Sequence, residues 1–131
     1  MQNQDSNSEL RLAYADCWMR DEREGMRRRS LDFRDNRWLE LDGWEDEMLL
    51  ACPDGYNDFD ARTVASALRA MLDNDAAKID SIGLQAAREG SVTCYISGPL
   101  EILTKIVKLR RALFAAEAHI DSNEQLRLWW D

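Results

Sequence analysis

Carboxylates are the chemically active groups that this chain concentrates most. Asp54, Asp58 and Asp60, with Asn57 between them, lie in the seven-residue run Asp54-Gly55-Tyr56-Asn57-Asp58-Phe59-Asp60. Hard cations such as calcium and magnesium take clustered oxygen ligands of this kind. The order is not that of an EF-hand loop, since the glycine comes second rather than sixth and no glutamate stands at the twelfth position. A turn followed by a helix N-cap uses the same residues. That reading is the expectation, and no metal or other cofactor is expected.

Catalytic constellations are sparse. His119 is the single histidine, and the chain has neither a G-x-S-x-G elbow nor a phosphate loop. Cys17, Cys52 and Cys94 are far apart and lack the short pairing that a zinc site requires. They are expected as reduced, mostly buried thiols. The residues therefore point away from an enzyme.

Charge is more informative. The net charge is −8. Acidic and basic residues balance over 1–37 and again over 61–131. The excess lies in 38–60, which holds Glu40, Asp42, Glu45, Asp46, Glu47, Asp54, Asp58 and Asp60 and no Lys or Arg. Trp38 and Trp44 are embedded in the same stretch. An indole beside carboxylates suits a protein interface, where tryptophan is enriched among the residues that dominate binding. Trp38, Glu40, Asp42, Trp44, Glu45, Asp46 and Glu47 are thus the candidate partner-binding residues, and the partner expected is a protein with a basic surface. The rival reading folds both indoles into the core. The same charge disfavours direct binding of nucleic acid.

The arginines of the first half, Arg20, Arg23, Arg27, Arg28, Arg29, Arg34 and Arg37, allow three readings. They form a phosphate-binding strip, a helix balanced by Asp16, Asp21, Glu22 and Glu24, or a set of partners for the acidic 38–60 segment.

The elements that would position these groups are read from apolar spacing. Ser6-Asn7-Ser8-Glu9 has the form of a capping box, and a helix with Leu10, Ala13, Tyr14, Cys17 and Trp18 follows, running on through the charged stretch to Arg29. Alternation allows a β-hairpin over 30–41, against a rival helix from Asn36. A short helix through Cys52 comes next, then one over 61–73 capped by Asp60, then one over 76–89. Val92, Cys94 and Ile96 alternate with polar residues, which predicts a strand over 91–97. From Gly98-Pro99 onward, Ile102, Ile106, Leu109, Leu113, Ala116 and Ile120 form one helical stripe, with Leu100, Leu103, Val107 and Phe114 beside it. This predicts a long helix over 99–120, with His119 on its polar side. Arg110 and Glu117 project between the stripes, which suggests one packing surface for the home core and another for a second copy. Leu103, Val107, Arg110, Phe114 and Glu117 are the candidate dimer interface. The tail, with Trp129 and Trp130, is read as helical.

The expected fold is α+β and mainly α: four to five helices around the long C-terminal helix, a strand at 91–97 and a hairpin at 30–41. One domain over 1–131 is expected, with residues 1–5 frayed. No apolar run is long enough for a membrane span, and the polar N-terminus lacks the pattern of a secretory signal, so a cytoplasmic location is expected. The expected function is that of a small, acidic, non-catalytic protein that binds a basic surface on another protein. Inhibitors carried by phages and mobile elements, among them anti-restriction and anti-CRISPR proteins, share this size and charge; the likeness is one of composition. The alternatives are a dimeric secretion chaperone or adaptor, and an enzyme or metal-binding domain that uses the 54–60 carboxylates.

Overall fold

A computed structural model describes residues 32–131 except Asp54. The capping box at Ser6, the helix through Arg29 and the arginines Arg20 to Arg29 lie outside the described residues, as do Cys17 and Trp18. In chain order the elements are β1 (Phe33–Arg34), α1 (Leu41–Ala51), α2 (Ala61–Met71), α3 (Ala76–Asp80), β2 (Gly83–Arg88), β3 (Val92–Ser97), α4 (Leu100–Lys108), β4 (Glu117–Ile120) and β5 (Leu126–Trp129).

The strands β2, β3, β5 and β4 form an antiparallel sheet in that order, and the two-residue β1 extends it beside β2. Register follows the alternation of side chains. Leu84 lies opposite Ile96 and Ala86 opposite Cys94. Cys94 lies opposite Leu128 and Ile96 opposite Leu126. These residues share one face and belong to the core, with Leu41, Trp44 and Met48 of α1, Val64, Ala65 and Leu68 of α2, and Leu103 and Ile106 of α4. Because successive strand residues point to opposite faces, Gln85, Thr93, Tyr95, Arg127 and Trp129 share the other face. β2 and β3 turn through Gly90, whose φ of +77° favours glycine.

Helix starts follow local chemistry. The Asp60 carboxylate accepts the Arg62 N–H at 3.2 Å and the Thr63 hydroxyl at 2.9 Å, which satisfies the open end of α2. Asp75 does the same for α3 by accepting from Ala77 at 2.9 Å. α1 packs on α2 and on β2, and α4 lies beside β4. Three aromatic rings lock the core between distant segments. Trp44 meets Phe59 edge-on at 6.2 Å, and Phe59 meets Trp130 at 4.9 Å. The Trp130 indole N–H donates to the Leu113 carbonyl at 2.9 Å.

The architecture is therefore an antiparallel sheet backed by four helices among the described residues, not a mainly helical fold around a long C-terminal helix. The helix predicted over 99–120 ends at Lys108. A turn follows in which Leu113 N–H still donates back to the Leu109 carbonyl, but Phe114 adopts φ +58°, in the left-handed region, and no helical hydrogen bonding continues past it. Residues 117–120 are strand β4, which places His119 on an exposed strand rather than a helix flank. The helix predicted over 76–89 stops at Asp80, and its second half is strand β2. The tail read as helical is β5, with Trp129 half-buried and Trp130 fully buried.

No hairpin forms at 30–41 among the described residues. Phe33 and Arg34 pair with Arg88 and Ala87, and Leu39 bridges Leu84, so both pieces run along the same strand, β2. The Asp35-Asn36 turn signal is a bulge instead. Asp35 N–H still donates to the Ala86 carbonyl, and residues 36–38 loop out before Leu39 rejoins. The Asp35 carboxylate holds the bulge by accepting the Arg37 N–H at 3.0 Å.

Candidate functional site

α1 has two faces of opposite character. Leu41, Trp44, Met48 and Ala51 are buried. Asp42, Asp46 and Leu50 follow one another at steps of four and are exposed on the outside. Glu45 and Leu49 flank them and are half-buried. Leu50 is 60% exposed, although it is a large apolar residue. Glu40 stands exposed at the head of the helix, where its side chain makes no cap hydrogen bond. Just before it, Trp38 is 40% exposed and leans over Gly83; a Cβ on Gly83 would lie 3.3 Å from the Trp38 Cβ.

Two arginines draw on the carboxylates of this surface. Arg69, from α2, donates to Asp42 and, at 2.7 Å, to Glu45. The hydrogen bonds to Glu45 and Asp42 hold its pKa above the ordinary arginine value. Arg37 forms a fork with Asp35, closest at 2.7 Å, and reaches Glu47 at 3.2 Å. Its pKa is raised chiefly by the hydrogen bond to Asp35. Glu40 and Asp46 take part in no ion pair among the described residues, so their charge faces water.

The seven candidate partner-binding residues thus divide. Trp38, Glu40, Asp42 and Asp46 lie exposed on one surface, and Glu45 is at its margin. Two are corrected. Trp44 has no exposed surface, because the inner stripe of α1 carries it into the edge-on ring cluster with Phe59. Glu47 is only 8% exposed and turns toward Arg37 on the sheet side. Neither is available to a partner.

The candidate dimer residues also divide. Leu103 is fully buried in the core beneath α4 and is withdrawn from any interface. Val107 is half-buried and Phe114 is 60% exposed. Arg110 and Glu117 no longer mark a seam on one helix. The Arg110 guanidinium donates to the carbonyls of Ala115, at 3.1 Å, and Ala116, at 3.5 Å, and so closes the turn after α4. Glu117 lies on β4, 3.6 Å from Arg127.

The opposite face of the sheet holds a polar cluster that the sequence reading missed. Glu89 is its hub. Its carboxylate accepts from the Tyr95 hydroxyl and from Arg127 Nε, each at 2.7 Å, and its carbonyl accepts the Trp129 indole N–H at 2.9 Å. The Arg34 guanidinium sits 3.5 Å over the Tyr95 ring and donates to Gln85 and, at 2.9 Å, to Gln125. Burial first, and the Glu89 carboxylate second, push the Tyr95 hydroxyl above its ordinary pKa. Strand alternation in the tail would have revealed the cluster, because it sets Tyr95 opposite Arg127. Its groups engage one another, which makes it a brace across four strands.

Among the described residues, no three His, Cys, Asp or Glu side chains gather as metal ligands. In the 54–60 loop, Asp60 is committed to the α2 cap and Asp58 is exposed. Cys52 and Cys94 are buried thiols, and burial raises the Cys94 pKa. No helix among the described residues is long and apolar enough to cross a membrane.

The chain matches no known protein family, and no characterised protein or solved structure is similar to it.

Proposed function

We propose that this is a non-catalytic binding protein whose α1 surface, with Trp38 at its head, captures a basic surface on another protein. The observation that carries the reading is the outer face of α1. Asp42, Asp46 and the exposed Leu50 stand in line there, with Glu40 and Trp38 at one end and no Lys or Arg anywhere in 38–60. Carboxylates around exposed apolar groups combine long-range attraction for a cation with a surface worth removing from water. Arg69 supports the role by fixing Asp42 and Glu45 in place, while Glu40 and Asp46 supply the net field. A finer reading, an inhibitor that occupies the basic nucleic-acid-binding surface of an enzyme, follows from charge mimicry and rests on this same face.

The test compares the native chain with Glu40→Lys/Asp46→Lys and, separately, Trp38→Ala, immobilised against a lysate of the cells that carry it. Capture of a basic protein by the native chain, released as salt rises and lost in the double variant, is the expected result. Trp38→Ala should weaken capture with little change in its salt dependence. Capture that survives the charge reversal, or that brings down acidic proteins alone, would overturn the reading.

A further inference from the structure

We propose that the outer edge of β4 pairs with the same edge of a second copy, joining two sheets across a twofold axis centred on Ala118. The sheet has two edges, and they differ. At the β2 side, the segment from Phe33 to Leu39 covers the edge, and the 36–38 bulge with the Arg37–Asp35 fork interrupts any further ladder. Bulges and charged side chains of this kind are what natural sheets use to block edge pairing. At the other side β4 pairs only with β5, in unbroken register from Glu117–Trp129 to Ile120–Leu126. No described element pairs with its outer side, and its side chains alternate between exposed and half-buried.

The side chains of β4 select the occupant and the register. Glu117 and His119 lie on the same face of β4, away from the core. In an antiparallel self-pairing centred on Ala118, Glu117 lies directly opposite the partner's His119, and His119 opposite the partner's Glu117. The Glu117 carboxylate can accept a ring N–H of the partner's His119 there, and the contact is made twice by symmetry, as an isologous interface requires. Centring one residue later, on His119, would set Glu117 against the partner's Asp121, a like-charge contact that disfavours that register. At the centre, alanine is small enough for the backbones to approach. Arg127 lies next to His119 in register and 3.6 Å from Glu117, so each Glu117 carboxylate at the seam also has a guanidinium of its own copy beside it. Phe114, 60% exposed just before the strand, would come to rest beside the partner's β4–β5 turn. Since only one edge is open among the described residues, the pairing closes as a dimer and does not grow into a filament. The inference is independent of the α1 reading, because the two surfaces share no residue.

Sedimentation equilibrium of the full chain tests it. The native protein should form dimers within about 100 µM, a concentration range that even weak assemblies reach. His119→Glu should weaken dimerisation at least about tenfold, since it sets two carboxylates opposite each other twice. Glu117→Lys/His119→Glu sets a lysine opposite each new carboxylate and should restore the dimer. Ala118→Cys should form an intersubunit disulfide on mild oxidation, because facing Cα atoms of an antiparallel pair lie about 4.5–5.5 Å apart, within disulfide reach. Circular dichroism of each variant separates loss of pairing from loss of fold. A native monomer, a dimer that is indifferent to His119→Glu and does not cross-link through Ala118→Cys, or open-ended oligomers would each overturn the proposal.

Discussion

At the scale of single residues, the buried charges decide most. The Asp35 carboxylate is almost fully buried, at 1% exposure, and is held by the Arg37 guanidinium and backbone. Arg37→Ala should cost about 2–3 kcal/mol, because the carboxylate would lose its counter-ion. The figure sits at the low end for a buried pair because Arg37 keeps contact with water. Asp35→Asn combined with Arg37→Ala should recover part of the loss, and urea unfolding of the two variants checks both statements. Tyr95 gives a prediction in pH. Its folded pKa is raised, so the folded state keeps the hydroxyl proton to higher pH than the unfolded state does. The contribution is therefore complete below the unfolded value of about 10 and is lost as pH rises through the higher folded value. Tyr95→Phe should cost about 1–1.5 kcal/mol at neutral pH through the hydrogen bond to Glu89, and should make the alkaline fall in stability shallower. Chemical denaturation from neutral pH to about pH 11, past the ordinary tyrosine value, measures both effects.

At the scale of elements, the stop after α4 shows how a helix can end without the usual markers. The left-handed position belongs to Phe114, where glycine would sit without steric cost. The ring is largely exposed, so its removal loses little packing. Phe114→Gly should stabilise the chain by about 0.5–1 kcal/mol, read as a higher urea midpoint with an unchanged slope. This stop is also why the sequence misled. Residues 109–120 hold helical spacing throughout, and Ala112, Ala115, Ala116 and Ala118 are good helix formers. What makes 117–120 a strand is its ladder to β5, a non-local contact that no window of neighbouring residues contains. β2 tells the same story. Gln85, Ala86, Ala87 and Arg88 favour a helix locally, yet they lie in mid-sheet, between β3 and the 33–39 edge. The legible elements were those with local causes: α2 with its Asp60 cap, and β3, whose alternation of apolar and polar residues needs no partner to be seen. The exposure of the candidate surface was half legible for the same reason. Composition found the acidic strip, but only the inner stripe of α1 could remove Trp44 and Glu47 from it.

At the scale of the whole molecule, charge is distributed unequally around the fold. Arg37 and Arg69 neutralise Glu47, Glu45 and Asp42 of the 38–60 surface, so the outward field arises chiefly from Glu40 and Asp46, with Asp58 beyond them. A field of this kind acts mainly on the rate of encounter. Once a basic partner is in hand, stopped-flow association should slow about tenfold or more between low and physiological salt, with dissociation changing far less. Equal salt effects on both rates would assign the binding to contacts other than these carboxylates.

The order of strands in the sheet also bears on how the chain is made. β5 follows β4 in sequence, yet it lies inside the sheet between β3 and β4. While the ribosome is still adding residues before Leu126, β3 has a bare flank and β4 has nothing to pair with. Trp130, which closes the ring cluster with Phe59 and reaches back to Leu113, arrives later still. A nascent chain must therefore carry β3 with one backbone edge unpaired until residues 126–130 clear the exit tunnel, and a bare edge of this kind is what makes that interval of synthesis its most aggregation-prone.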